Sequence, residues 1–189
     1  MLRSLGLTVE VLAAGYEEAP QPGASAAELA SHHAAGKLRA ALQRRPAAQS
    51  PVLAADTVVE LDGVALGKPR DDAEATVMLE RLSGREHLVH TAFALAVPGN
   101  GPWTQERATA RVRFYPLAAG EIAEYVATGE PLDKAGAYGI QGRAAALIEG
   151  IEGDFYTVMG LPLARVIRAL RRLGFALPAK NEPRVGRAD

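Results

Sequence analysis

The chain has 189 residues, 48% hydrophobic and 23% charged, with 19 Gly, 12 Pro and no Cys. That balance is globular, and it excludes disordered, collagen-like and disulfide-built classes together with Cys-ligated zinc and thiolate catalysis. A formal charge of −1 offers no long-range attraction to nucleic acid or an anionic membrane, and the length suits one domain over residues 1–177 with a flexible tail over 178–189.

The opening M-L-R-S-L-G-L-T-V-E-V is too short and too interrupted for a signal-peptide core, and no later apolar run reaches a membrane-spanning length. A soluble, cytoplasmic protein with no membrane partner is expected. Residues 7–12 carry β-branched residues in weak alternation and predict a strand, followed by a proline-punctuated loop, G-Y-E-E-A-P-Q-P-G. Ser25 and Glu28 form a capping box for an alanine-rich helix over 26–44, which Pro46 ends. Two short strands follow, joined by the hairpin dipeptide Asp62-Gly63, with Gly67-Lys68-Pro69 as the exit. Asp71 and Glu74 start a second helix that runs to Leu82 and stops at Ser83-Gly84.

Residues 87–97 and 107–115 read as an antiparallel strand pair linked through G-N-G, with Val112 and Phe114 facing opposite to Arg111 and Arg113. A third helix covers 118–128, a glycine-rich loop covers 129–142, and 144–148 and 154–156 are candidate short strands. In the last helix, Pro162 starts a face of Leu163, Val166, Ile167, Leu170 and Leu173, and Gly174 ends it. Interleaved strands and helices predict an α/β class: a mixed twisted sheet with flanking helices.

Asp56 follows an apolar segment in A-A-D-T-V-V, at the expected end of a strand, where α/β folds place ligands. Its carboxylate can bind Mg²⁺ or take a proton from water; the alternative is a turn or cap. Lys37, Lys68 and Lys134 stand beside Gly, Pro or Asp and suit compact contacts to phosphate oxygens, each otherwise an ordinary surface lysine. The loop G-E-P-L-D-K-A-G-A-Y-G-I-Q-G is dense in glycine and polar groups. Its Gln141 can read a base edge or satisfy loop carbonyls. Glu17 and Glu18 offer paired carboxylates for a hard cation, although exposed acidic loops are usually solvated. His32 and His33 lie about 100° apart on a helix, which prevents joint chelation and favours a solvated face. His87 and His90 fall on opposite faces of their strand.

Taken in order, A-A-D-T-V-V, G-K-P-R-D-D-A-E-A, L-S-G-R-E-H-L-V-H-T, Y-V-A-T-G-E-P-L-D-K-A-G-A-Y-G-I-Q-G and G-L-P-L resemble the Maf-like nucleoside triphosphate pyrophosphatases over nearly the whole chain. The resemblance implies an inosine triphosphate pyrophosphatase-like fold, a homodimer, a divalent cation (Mg²⁺, with Mn²⁺ as the variant) and cleavage of a nucleoside triphosphate to the monophosphate and pyrophosphate. D-K-A-G-A-Y-G-I-Q-G is similar to the subgroup acting on dTTP and UTP, with modified pyrimidine nucleotides as further candidates. By motif, Asp56 matches the family's proton acceptor and Thr57 and Gln141 match positions that choose the base. Glu18, Lys37, Lys68 and Lys134 match charged pocket positions, with Glu18 and Asp56 as the metal ligands. The family's S-x-S-P-R-R phosphate loop is expected just before a segment like L-R-S-L-G-L, and here Met1 directly precedes that segment. The departure leaves an alternative: a catalytically impaired nucleotide-binding or division-regulating protein.

Overall fold

The structure is a computed structural model that describes residues 1–19, 21–45, 50–99 and 103–177. The Pro46 helix stop, the link through residues 100–101 and the tail 178–189 lie outside these residues.

Helix α1 (Ala26–Arg44) starts at the expected box: the Ser25 side chain accepts from the Glu28 N–H, and Glu28 accepts from the Ser25 N–H. Strand β1 (Val52–Leu61) turns through Asp62 and Gly63, at φ 54° and 78°, into β2 (Val64–Leu66). Two positive φ angles make this the mirror-image tight turn that matches strand twist. Helix α2 (Asp72–Leu82) is capped by Asp71, which accepts from the Glu74 N–H. Strands β3 (Glu86–Ala96) and β4 (Thr104–Phe114) form the long antiparallel pair, and α3 (Ala119–Val126), β5 (Ile148–Glu152), α4 (Phe155–Val158) and α5 (Leu163–Arg172) complete the order.

The strands assemble as β2-β1-β3-β4-β5, and every pairing is antiparallel. The α/β class with flanking helices is as expected, while the parallel part of a mixed sheet is absent among the described residues. Central β3 is buried on both faces from Val89 to Ala96, which explains its unbroken apolar run over residues 92–96. On one face α1 lays Ala26, Ala30 and Ala34 against Val58 and Ala92, and Leu38 against Ala94 and Ala96. These small side chains let the helix approach the sheet closely. On the opposite face, α2 and α3 pack Leu79, Leu82, Ile122 and Tyr125 onto Val59, Val89, Val112 and Phe114. Beyond them α5 covers Phe93 and Leu95 with Leu163, Val166 and Ala169.

Four local expectations need correction. Residues 7–12 form no strand; Val11 is 81% exposed. The segment instead runs along α1, where Arg44 donates to the Ala13 carbonyl and Arg45 pairs with Glu10. β-propensity acts only where a partner strand and a surface to bury are present. Residues 142–147 form 3-10 turns, so the strand expected at 144–148 begins only at Ile148. The strand expected at 154–156 is helix α4, because the Asp154 carboxylate accepts from the N–H groups of Tyr156 and Thr157 and starts a helical turn. Asp56 stands in the middle of β1 and not at a strand end.

Candidate functional site

Asp56 sits on the sheet face that α1 covers and is 8% exposed. Lys37 comes from the body of α1. Its ammonium donates to Asp56 Oδ1 at 2.6 Å and contacts Glu18 Oε1 at 2.6 Å. The alanine seam of α1 is what makes this reach short, because larger side chains there would lift the helix from β1.

Glu18 is placed by its own anchor. Tyr16, two residues earlier, lays its ring over Gly36, and its hydroxyl meets His33 Nδ1 at 3.0 Å. A Cβ at Gly36 would come within 2.3 Å of that ring, so the glycine beside Lys37 makes room for the loop. His33 is therefore 5% exposed and lines the cavity; the solvated face expected for it is corrected. A glycine inside an alanine-rich helix is the sequence signal that something packs there.

The electrostatics follow from this geometry. Burial pushes the Asp56 carboxyl above the usual aspartate value, outweighing the hydrogen bond and attraction of Lys37. The Lys37 hydrogen bond holds Glu18, which is more exposed, below the usual value. Burial alone would lower Lys37, but its bonds to Asp56 and Glu18 win and raise it, so the ammonium stays charged. Burial thus raises the proton affinity of the Asp56 carboxylate, while Lys37 opposes that rise and favours the ionised form that can accept a proton.

The opposite wall comes from two loops tied by a backbone bond, Gly136 N–H to the Gly67 carbonyl at 2.9 Å. That bond brings Lys68 and Lys134 to one rim. Gly136 has φ 69°, and a Cβ there would approach Val59 Cγ1 to 3.0 Å, so the loop rests directly on β1. Lys134 pairs with Asp133. Tyr138 pins the loop from beneath, with its hydroxyl 2.7 Å from His87 Nε2 and its ring edge-to-face with Phe114. Burial depresses His87 to about 4, so the ring is neutral near pH 7. Gln141 is exposed on this loop and its side chain makes no capping bond.

Glu18, Lys37, Asp56, Thr57, Lys68, Lys134 and Gln141 all line one cavity of about 510 Å³, a volume suited to a small-molecule ligand. Adjacent strand residues point to opposite faces, yet Asp56 and Thr57 both reach it. β2 pairs only with Val59, Glu60 and Leu61. Among the described residues no strand lies beside residues 52–58 on that side, and the cavity wraps the strand edge. Sequence patterning gave no role to His33 and Tyr138, which line the cavity, or to Tyr16 and Thr91, which hold the lining residues His33 and Thr57 from behind, because each acts through long-range contacts. Three carboxylates (Glu18, Asp56 and Asp133), three ammonium groups and an uncommitted amide line this one cavity, a set of charged and hydrogen-bonding groups that suits a phosphate-bearing ligand with a polar edge.

The family model described as Maf-like protein matches residues 1–173. The dTTP/UTP pyrophosphatase of Thermus thermophilus is 50% identical over 178 residues, covering 93% of this chain and 89% of that protein. The dTTP/UTP pyrophosphatase of Symbiobacterium thermophilum is 49% identical over 177 residues, covering 94% and 89%. That of Methylobacillus flagellatus is 43% identical over 182 residues, covering 96% and 90%.

Proposed function

The chain belongs to the Maf-like family, and on that premise we propose that it is a nucleoside triphosphate pyrophosphatase that converts dTTP and UTP to the monophosphate and pyrophosphate. The observation that carries this reading is the buried Asp56 carboxylate held by Lys37 in a cavity rimmed by Lys68 and Lys134. Asp56 takes a proton from the water whose oxygen attacks the α-phosphorus. The bond from that phosphorus to the bridging oxygen breaks, and pyrophosphate leaves. Lys37 keeps Asp56 ionised for this role. Lys68 and Lys134 offset the negative charge of the departing pyrophosphate. Thr57 and Gln141 meet the pyrimidine edge.

A divalent cation, Mg²⁺ or Mn²⁺, belongs to the same proposal. Glu18 and Asp56 both place an oxygen 2.6 Å from one ammonium, so their carboxylates already converge on a compact cation. Mg²⁺ is commonly held by one or two carboxylates completed by substrate phosphates and water, and this donor set fits it. No group of three or more metal-ligating side chains occurs among the described residues, which leaves the other positions to phosphate and water. Glu18 and Asp56 would hold the ion, which supplies charge neutralisation at the α-phosphate.

A homodimer and a cytoplasmic location complete the reading. Ile151, Phe155 and Tyr156, between 36% and 42% exposed beside edge strand β5, support the first. No helix of the described residues is long and apolar enough to cross a membrane, which accords with the second.

Hydrolysis of dTTP in ¹⁸O-labelled water with Mg²⁺ tests the activity. Attack at the α-phosphorus puts the label in thymidine monophosphate. Label in pyrophosphate, or release of single phosphates, overturns the mechanism.

A further inference from the structure

Thr57 of β1 and Thr91 of β3 are direct register partners, and their hydroxyl oxygens lie 2.8 Å apart. Each hydroxyl has one proton to give. Thr91, fully buried, donates its proton at 2.7 Å to the backbone carbonyl of Thr157, which can only accept. That same carbonyl accepts from the Gly160 N–H at 3.1 Å, and the Thr157 hydroxyl donates to Asp154 Oδ2 at 2.9 Å, so the acceptor is fixed in place. With the Thr91 proton committed, the shared bond has one polarity: Thr57 donates and Thr91 accepts.

The consequence lies at the cavity wall. Thr57 lines the cavity beside Gly160, which has φ 98° and no side chain to cover the hydroxyl; a Cβ there would stand 3.4 Å from Thr57 Oγ1. Having spent its proton on Thr91, the Thr57 hydroxyl shows only lone pairs to a ligand.

We propose that Thr91 is a positioning residue. Through the proton chain from Thr57 by way of Thr91 to the Thr157 carbonyl, it makes Thr57 a pure acceptor that selects a pyrimidine edge carrying an imide N–H. Uracil and thymine carry that N–H, whereas the ring nitrogen of cytosine at the same position is itself an acceptor. Two facing acceptors leave a buried polar group without a partner, a mismatch that disfavours cytosine although the rings are equal in size. The inference rests on the pyrimidine triphosphate reading above and adds the atom-level reason for it.

The experiment compares kcat/KM for UTP, CTP and N3-methyl-UTP in the wild type, Thr91→Val and Thr91→Ser. The wild type is expected to favour UTP over both others. In Thr91→Val the Thr57 hydroxyl is free to rotate and donate, so the UTP to CTP ratio falls by about tenfold or more. Thr91→Ser keeps the hydroxyl and restores the ratio. A role limited to packing would lower the rates on UTP and CTP in equal proportion, and that result overturns the proposal. If Thr91→Val does not fold, Thr57→Val against Thr57→Ser reads the same ratio. It must fall in the first and persist in the second, and an unchanged ratio in Thr57→Val overturns the proposal. If the wild type turns over no pyrimidine triphosphate, the activity reading fails by itself. Calorimetric affinities for UMP and CMP in the wild type and Thr91→Val then decide the proton chain, which an unchanged ratio of affinities overturns.

Discussion

Lys37 in the body of α1 donates a 2.6 Å hydrogen bond to Asp56 in the middle of β1, and the two meet only because alanines separate helix from sheet. The pair joins the packing of the fold to its chemistry. The contact that closes α1 onto the sheet also sets the charge state of the proposed base.

Asp56→Asn keeps the shape and removes the proton acceptor, so turnover of dTTP should fall by roughly 10² to 10⁴. Lys37 retains Glu18 as a partner, and the fold should survive. Steady-state kinetics with circular dichroism checks both. Near-normal turnover in the folded variant returns Asp56 to a structural role.

Lys37→Met retains much of the buried stem and removes the charge that favours ionised Asp56. Burial, the larger influence, then acts with less opposition, and the Asp56 carboxyl rises further above its ordinary value. Because activity needs the ionised form, the acid limb of the kcat/KM profile should move to higher pH in this variant. A limb that stays in place, measured from pH 4 to 9, would mean that Asp56 does not titrate in the rate-limiting step.

His87 links stability to pH through the same core. Its folded value is about 4 against 6.5 for the free side chain, so the folded state resists protonation where the unfolded state accepts it. Its contribution is complete above pH 6.5 and is lost as pH falls towards 4. At roughly 1.4 kcal/mol per pH unit the loss approaches about 3 kcal/mol. Urea unfolding at pH 7 and pH 4.5 should show this drop in the wild type and a smaller one in His87→Phe.

Gly136→Ala places a methyl 3.0 Å from Val59 Cγ1 at a φ of 69°. The substitution should cost about 1 to 2 kcal/mol in stability. Lys134 and Gln141 share this loop, so KM for dTTP should rise several-fold as well. A thermal melt and a substrate titration separate the two effects; no change in either would show that the loop has slack.

Gln141→Glu replaces a group with both donor and acceptor atoms by one that only accepts at neutral pH. Losses should be larger for dTTP and UTP than for purine triphosphates. Equal losses for all nucleotides would mean that Gln141 supports the loop and does not read the base.

Local chemistry made much of this protein legible from sequence. Ser25 with Glu28, Asp62-Gly63 and Asp71 with Glu74 act over a few residues, and each formed the cap or turn it predicts. The alternation of Val112 and Phe114 with Arg111 and Arg113 likewise appears in the burial of β4. The motif order named the residues that line the cavity. Residues 7–12 and 154–156 misread because strand formation depends on a distant partner, and at Asp154 a local cap won. Tertiary structure alone decided that His33 is buried under Tyr16, that Gly136 rests on Val59, and that Thr91 fixes the proton of Thr57. Each of these relations joins residues far apart in the chain. Composition and spacing carry the strength of local contacts, whereas the direction of a buried hydrogen bond exists only once both partners are held in place.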